Sequence, residues 1–252
     1  MDVGILGGLA IGLLAIAGSV LLDGGDLRAF VNFPAFLIIA GGTVGATIVT
    51  TSLKDIRTLP RLVRRALSAD AAQGPHDVIA FLVDFAETAR KEGILALQDR
   101  LLTSGADPFL RRGLELVIDG ADETIVREIM QTEIHSMKSR HTKGIEIFGI
   151  MGGYAPTMGM IGTVMGLVHV LSKLGEGTDS LGRGIAVAFL ATFYGIFSAN
   201  VLFLPLSGNL KAKSEAEVLM REVMMEGVLG IQSGLNPHIL EQKLRSYFAS
   251  TA

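Results

Sequence analysis

The sequence contains no cysteine and no tryptophan. The missing cysteine removes disulfides, thiol nucleophiles and thiolate metal sites together. No basic block with interleaved aromatics is present, which excludes the usual nucleic-acid footprint. The more telling shortage is local. The chain carries 22 basic and 25 acidic side chains and a formal net charge of −3, but they are segregated. Residues 3–22, 29–53, 147–172 and 184–210 hold no Asp, Glu, Lys or Arg. A helix needs about 20 apolar residues to cross roughly 30 Å of hydrocarbon, and each run is at least that long. With a mean hydropathy of +0.48, the pattern predicts an all-α polytopic membrane protein with four transmembrane helices and a helical cytoplasmic domain. Ala15-Ile16-Ala17 resembles a signal cleavage site, but no Lys or Arg precedes the first run, so it reads as a retained span.

The runs form two hairpins. The first occupies residues 1–53, with spans at 3–22 and 33–53, and the second occupies 147–210, with spans at 147–172 and 184–210. A polar insert, 54–146, separates them, and a tail, 211–252, follows. Basic residues crowd the ends of the insert (Lys54, Arg57, Arg61, Arg64, Arg65; Lys138, Arg140, Lys143) and the start of the tail (Lys211, Lys213). The excess of Lys and Arg at cytoplasmic ends places insert, tail and both termini in the cytoplasm. Inside the insert, Gly74-Pro75 and Asp107-Pro108 open helices, with proline in a first turn where its missing N–H costs nothing. Val78, Ile79, Leu82, Val83 and Ala86 form an apolar stripe at helical spacing. From Asp122 to the end of the third span, the only proline is Pro156. An unbroken helix over that stretch would extend about 75 Å, so the insert is expected to be a helical bundle standing off the membrane.

Within the third run, Gly152, Pro156, Gly159, Thr163 and Gly166 share one helical face, and Gly184, Ala188, Thr192, Gly195 and Ala199 do so in the fourth. Each helix thus presents a narrow strip of small side chains with one hydroxyl near its middle. Two readings fit: tight packing between the protein's own helices, or a polar seam facing another helix. Pro156 frees the carbonyl of Gly152, and a freed carbonyl in hydrocarbon needs protein or a polar path beside it, which favours the seam. No membrane run contains a carboxylate. Ion carriers use an ionisable group inside the bilayer, so a chain that moves ions this way must receive its carboxylate from a second polypeptide. His169, the one histidine in these runs, reads as an interfacial side chain.

The run Ala188-Phe189-Leu190-Ala191-Thr192-Phe193-Tyr194-Gly195-Ile196-Phe197, followed by Pro205, resembles the signature of the MotA/PomA family of flagellar stator subunits, within the wider MotA/TolQ/ExbB proton-channel superfamily. Residues Tyr154 to Gly166 are similar to that family's third span, and Ala89 to Leu97 to its torque-generating segment. The hairpin–insert–hairpin layout agrees over essentially the whole chain. The resemblance implies a protein of the bacterial cytoplasmic (inner) membrane. It implies a homopentamer surrounded by lipid and built around a MotB/PomB-like single-span partner that supplies a membrane aspartate. Ion flow would turn the pentamer and drive the rotor protein FliG. No cofactor is implied beyond the transported H+ or Na+, and the choice between them is left open.

On the same resemblance Thr192 and Thr163 lie on the ion path with Pro156. Pro156 and Pro205 couple ion flow to movement. Gly152, Gly159, Gly166, Ala188, Gly195 and Ala199 pack the partner helix. Arg90 and Lys91 face the rotor together with Gln98 and Asp99, although Gln98 stands where the family often has a glutamate. By themselves these four residues read as a solvated helix face. An ExbB/TolQ-like energiser is the related alternative, but three spans and an external N-terminus describe that class and not this chain. A stand-alone channel or transporter lacks its carboxylate. An enzyme lacks any nucleophile–base pair, phosphate loop or metal-ligand cluster; His135 and His141 are wrongly spaced for one.

Overall fold

The computed structural model describes residues 3–68, 74–173 and 178–248. Residues 1–2 of the first hairpin, 69–73 of the insert, 174–177 of the second short loop and 249–252 of the tail lie outside the described residues. Every regular element among the described residues is helical.

The chain runs α1 (Val3–Leu22), a 3-10 turn (Leu27–Phe30), α2 (Phe33–Thr50), α3 (Leu53–Ile56), α4 (Leu59–Leu67) and α5 (Pro75–Glu92). A second 3-10 turn (Ile94–Ala96) leads into α6 (Leu97–Thr103), α7 (Pro108–Ile118) and α8 (Glu123–Ser172). After it come α9 (Thr178–Phe197), a π-helical turn (Ser198–Phe203), α10 (Leu204–Gln232) and α11 (Pro237–Ser246). Local punctuation sets the helix ends, as expected for Gly74-Pro75 and Asp107-Pro108. Asn32 and Asp107 cap α2 and α7 by accepting the N–H groups of Ala35 (3.0 Å) and Phe109 (2.8 Å), each with proline in the first turn. Gly74-Pro75 opens α5. At the other end of α5, Gly93 adopts φ +90°, a conformation that L side chains rarely take, and the helix stops there. Asp122 precedes α8, which runs 50 residues with Pro156 inside it.

Among the described residues, three helical stretches are long and apolar enough to cross a membrane: Leu27–Thr50, Glu123–Ser172 and Leu181–Gln232. The first helix contributes a shorter apolar stretch, Gly7–Leu22. The chain divides into two compact units, with one division between α4 and α5 and the other two inside α8 and α10: Met1–Asp70 with His141–Ala212, and Ala71–Arg140 with Lys213–Ala252.

The first unit contains the apolar runs. Its buried residues are mostly small, with Ala35, Ile39 and Ala191 packed under Ile38, Met158, Leu190 and Tyr194. The Tyr194 hydroxyl accepts the Asn32 N–H at 2.9 Å and donates to the Phe30 carbonyl, tying the turn before α2 to α9. The second unit has a conventional core of large side chains. Leu82, Leu97, Leu110, Leu114, Val126, Val228 and Leu240 are all fully buried in one cluster. The predicted stripe on α5 supplies Val78, Ile79, Leu82 and Ala86 to it, with Val83 packed at its edge.

Candidate functional site

The small-residue faces of α8 and α9 meet each other. A Cβ added to Gly195 would stand 2.6 Å from the Ala155 carbonyl oxygen, and one on Gly166 2.8 Å from the Ala188 Cβ. A Cβ on Gly159 would reach the Ala191 carbonyl at 3.1 Å. The two backbones therefore approach as closely as glycine and alanine permit. Gly152 is closed off by the side chain of Leu204, and Ala199 is buried. Gly152, Gly159, Gly166, Ala188, Gly195 and Ala199, which the resemblance gives to a partner helix, are buried against this chain's own helices. The physical reason is general: in lipid, close backbone approach and van der Waals contact drive helix association, and the chain's own two strips satisfy each other.

At the centre of this contact the two hydroxyls meet. Thr163 Oγ1 lies 3.0 Å from the Gly159 carbonyl and 3.1 Å from the Ala188 carbonyl, and it pairs with the Thr192 hydroxyl. A hydroxyl has one proton. The Thr163 proton serves a carbonyl, so Thr192 donates to Thr163 and keeps its own oxygen as an acceptor. Both threonines are half-buried. The arrangement places an acceptor oxygen between two apolar helices, in a stretch without any carboxylate.

The two prolines behave differently. Pro156 is half-buried inside α8, which continues through it. Pro205 is exposed, in the first turn of α10. Lacking an N–H, it cannot serve the carbonyl four residues earlier. Just upstream the helix widens to a π turn, in which the Leu204 N–H donates to the Ala199 carbonyl five residues back. Such turns often mark functional positions. The sequence reading missed it, although Pro205 was its signal. His169 is exposed near the end of α8.

In the second unit Arg90 and Lys91 lie exposed in the last turn of α5, and Gln98 and Asp99 exposed at the start of α6. Gly93 ends α5 between the two pairs. Buried Leu97 and Leu101 hold α6 down and turn Gln98 and Asp99 outward. Lys91 pairs with Glu87 at 2.9 Å, whereas Arg90 has no ion pair among the described residues. A feature invisible in the sequence organises the patch. Arg100 reaches back across 16 residues to Asp84 (2.5 Å), bonds Thr88, and lies 5.5 Å over the Phe85 ring. This clamp fixes α6 against α5. No local spacing pairs residues so far apart, which is why the sequence reading passed over Asp84 and Arg100.

Elsewhere in the unit Glu226 accepts from Arg127 (3.3 Å) and Lys243 (2.5 Å). Partial burial pushes its carboxyl upward, but Lys243 and Arg127 together outweigh that and hold it below the usual range. Among the described residues no group of three His, Asp or Glu side chains could hold a metal ion.

Residues 6–93 match the model of the motility protein A N-terminal family, and residues 102–223 match that of the MotA/TolQ/ExbB proton channel family. Motility protein A of Bacillus subtilis (strain 168) is 38% identical over 98% of this chain and 91% of the relative. The chemotaxis protein PomA of Vibrio alginolyticus is 34% identical over 97% of this chain and 92% of its own length. In the solved flagellar MotAB stator complex from Bacillus subtilis, one chain matches with a TM-score of 0.89 and 36% identity, covering 98% of both chains. The chain therefore belongs to the motility protein A branch of the MotA/TolQ/ExbB proton channel family, and it is a flagellar stator subunit of the bacterial inner membrane.

Proposed function

We propose that the chain crosses the inner membrane four times, with α1 as the first span and with the insert, the tail and both termini in the cytoplasm. Five copies enclose a dimer of a MotB-like single-span subunit. That subunit brings the membrane aspartate which the four apolar runs lack. The observation that carries this reading is the hydroxyl pair Thr163–Thr192, set between α8 and α9 where no carboxylate is available. The free acceptor on Thr192 is suited to a transient proton or sodium ion handed over by a neighbouring carboxylate. Because the glycine strips are already filled from within the chain, the partner span lies over the α8–α9 contact and not inside it. Pro156 and Pro205, at and just beyond this contact, couple ion passage to movement of the helices.

Each charge that crosses supplies about 2.3 kcal/mol per 100 mV. That energy drives a rotation step only if ion passage and rotation are tied one to one. The exposed patch of Arg90, Lys91, Gln98 and Asp99 passes the torque to FliG. The decisive experiment measures ion flux and swimming in Thr192→Ala, with the partner co-purified. Flux and motility are expected to fall at least tenfold while the complex still assembles. Wild-type swimming would remove Thr192 from the ion path.

A further inference from the structure

The short helix α4 divides cleanly by polarity. At about 3.6 residues per turn, Leu59, Leu62, Val63 and Ala66 fall on one side and Arg61, Arg64 and Arg65 on the other. The apolar side is taken up by the protein itself. Ala66 is fully buried in a cluster with Phe148 of α8 and Leu210 of α10, and a Cβ on Gly144 of α8 would stand 3.0 Å from the Leu62 side chain. These contacts also fix the level of α4. Phe148 is the second residue of the charge-free run 147–172, and Leu210 is the last of 184–210. The apolar helix α2 ends at Thr50, shortly before α4, with Val49 and Leu53 strongly exposed on either side of its end. Three apolar stretches thus meet polar sequence beside α4, which places it at headgroup height. Its outward side is basic. Arg57, Arg61 and Arg64 are exposed and make no ion pair among the described residues. Between residues 53 and 68 five side chains are basic and Asp55 alone is acidic.

We propose that the basic side of α4 is a docking surface for the anionic headgroups of bilayer phospholipids, with Arg61 and Arg64 as its principal contacts. A planar guanidinium matches the geometry of a phosphate. An amphipathic helix standing alone at a membrane buries its apolar side at the acyl boundary. Here α8 and α10 already hold that side, so binding rests on charge. An anionic leaflet attracts basic groups within about one Debye length, roughly 10 Å at 0.1 M salt, and headgroup height meets that condition. A second copy of this chain is a poorer match, because among the described residues its first unit carries only Asp55 and Glu146 near the same run ends. Lipid held on α4 braces the ends of α8 and α10 against the bilayer. The proposal rests on the four-span topology only for the choice of leaflet.

The test uses the stator complex with its partner subunit in phosphatidylcholine nanodiscs doped with a lipid that carries a photoreactive diazirine beside its headgroup. Both faces of a nanodisc hold the same lipid, so an inverted topology leaves the result unchanged and only a missing surface abolishes it. Photoreactive phosphatidylglycerol should label residues 53–68 at least about fivefold more than photoreactive phosphatidylcholine, the equivalent of one basic side chain at an anionic surface. Arg61→Gln combined with Arg64→Gln should bring the two lipids level, whereas Arg61→Lys with Arg64→Lys should keep most of the preference. Both arginines are exposed, so neither pair of substitutions disturbs the packing of α4. In the unchanged protein, roughly 1 M salt shortens the Debye length to about 3 Å and should erase the preference. Equal labelling by the two lipids, or a preference that survives the glutamine pair, would overturn the surface. So would scant labelling of these residues by either lipid, which would show that another protein segment covers α4. A preference abolished by inorganic phosphate at constant ionic strength would make this a site for a soluble anion and overturn the lipid assignment.

Discussion

The two units of this chain are held together by different physics. In the second, large side chains such as Leu82, Leu114 and Leu240 are removed from water, and burial of apolar area is the driving force. In the first, the α8–α9 contact is made by glycine, alanine and threonine, with backbone against backbone. Lipid is as apolar as leucine, so burying a leucine there gains little, and helices gain by approaching closely instead. The same substitution should therefore have opposite consequences in the two places. Removing a large side chain hurts the second unit, and adding even a methyl group hurts the first.

Two substitutions test that contrast directly. The larger effect is expected from Leu82→Ala in the second unit. Leu82 is fully buried, and a Leu→Ala cavity of this kind costs about 2–5 kcal/mol. Chemical denaturation of the purified complex, followed by helical circular dichroism, measures it. Next comes Gly195→Ala, whose new methyl meets the backbone carbonyl of Ala155 and the Cα of Gly159. Neither contact can rotate away, so overpacking of roughly 1–3 kcal/mol is expected, with motility lost. Gly45→Ala is the control, because nothing lies within 4 Å of a Cβ there. If Gly195→Ala and Gly45→Ala behave alike, the two helices are not in backbone contact and the comparison between the units collapses.

Much of the fold was readable because its signals are local. Charge-free runs, Gly74-Pro75 and Asp107-Pro108 act on their own neighbours, and the helices begin where these residues dictate. The faces that bring Thr163 and Thr192 to one contact were readable too, since helical periodicity fixes what shares a face. Periodicity says nothing about what the face meets. A strip of glycines looks the same whether it packs another chain or its own neighbour, so the sequence left both readings open, and the structure shows that α8 and α9 bury theirs against each other. The Arg100 clamp on Asp84 and the Tyr194 tie to Asn32 are long-range side-chain bonds with no local pattern. The π turn lay between the two: its cause, Pro205, is visible, but its register shift is a property of the backbone.

Acid should expose the electrostatic side of the second unit, with a smaller effect. Glu226 has its carboxyl pKa lowered by Lys243 and Arg127 against the pull of burial. Its folded-state value thus lies below the unfolded value of about 4.5. The stabilisation is fully present above that unfolded value and disappears as pH falls through the folded one. Lys243 is substantially exposed, so screening limits the contribution to at most about 1 kcal/mol. In Glu226→Gln the stability curve should lose this step below pH 4.5 and otherwise parallel the wild type. A step of unchanged size in the variant would assign the acid sensitivity to another carboxylate.

The smallest effect on the fold, and among the largest on function, is expected at Arg90. It is exposed, forms no internal ion pair among the described residues, and sits where Gly93 ends α5. Arg90→Glu should leave the denaturation midpoint within error of wild type, because surface substitutions away from special features change stability by about 0.5 kcal/mol or less. Torque should nevertheless fall sharply, since exposed charges at an interface act through complementarity and steering. The Arg100 clamp distinguishes this from a general disturbance. Arg100→Ala removes the clamp between α6 and α5 and leaves α6 held by Leu97 and Leu101 alone, so it should lower both stability and torque, whereas Arg90→Glu lowers torque alone. Gln98→Glu adds a second carboxylate and should change torque least, because Asp99 already presents one beside it. Swimming speed of the three variants in a stator-deleted host, set beside their denaturation midpoints, provides the measurement. Normal swimming by Arg90→Glu together with Asp99→Lys would place the rotor contact on another surface of the second unit.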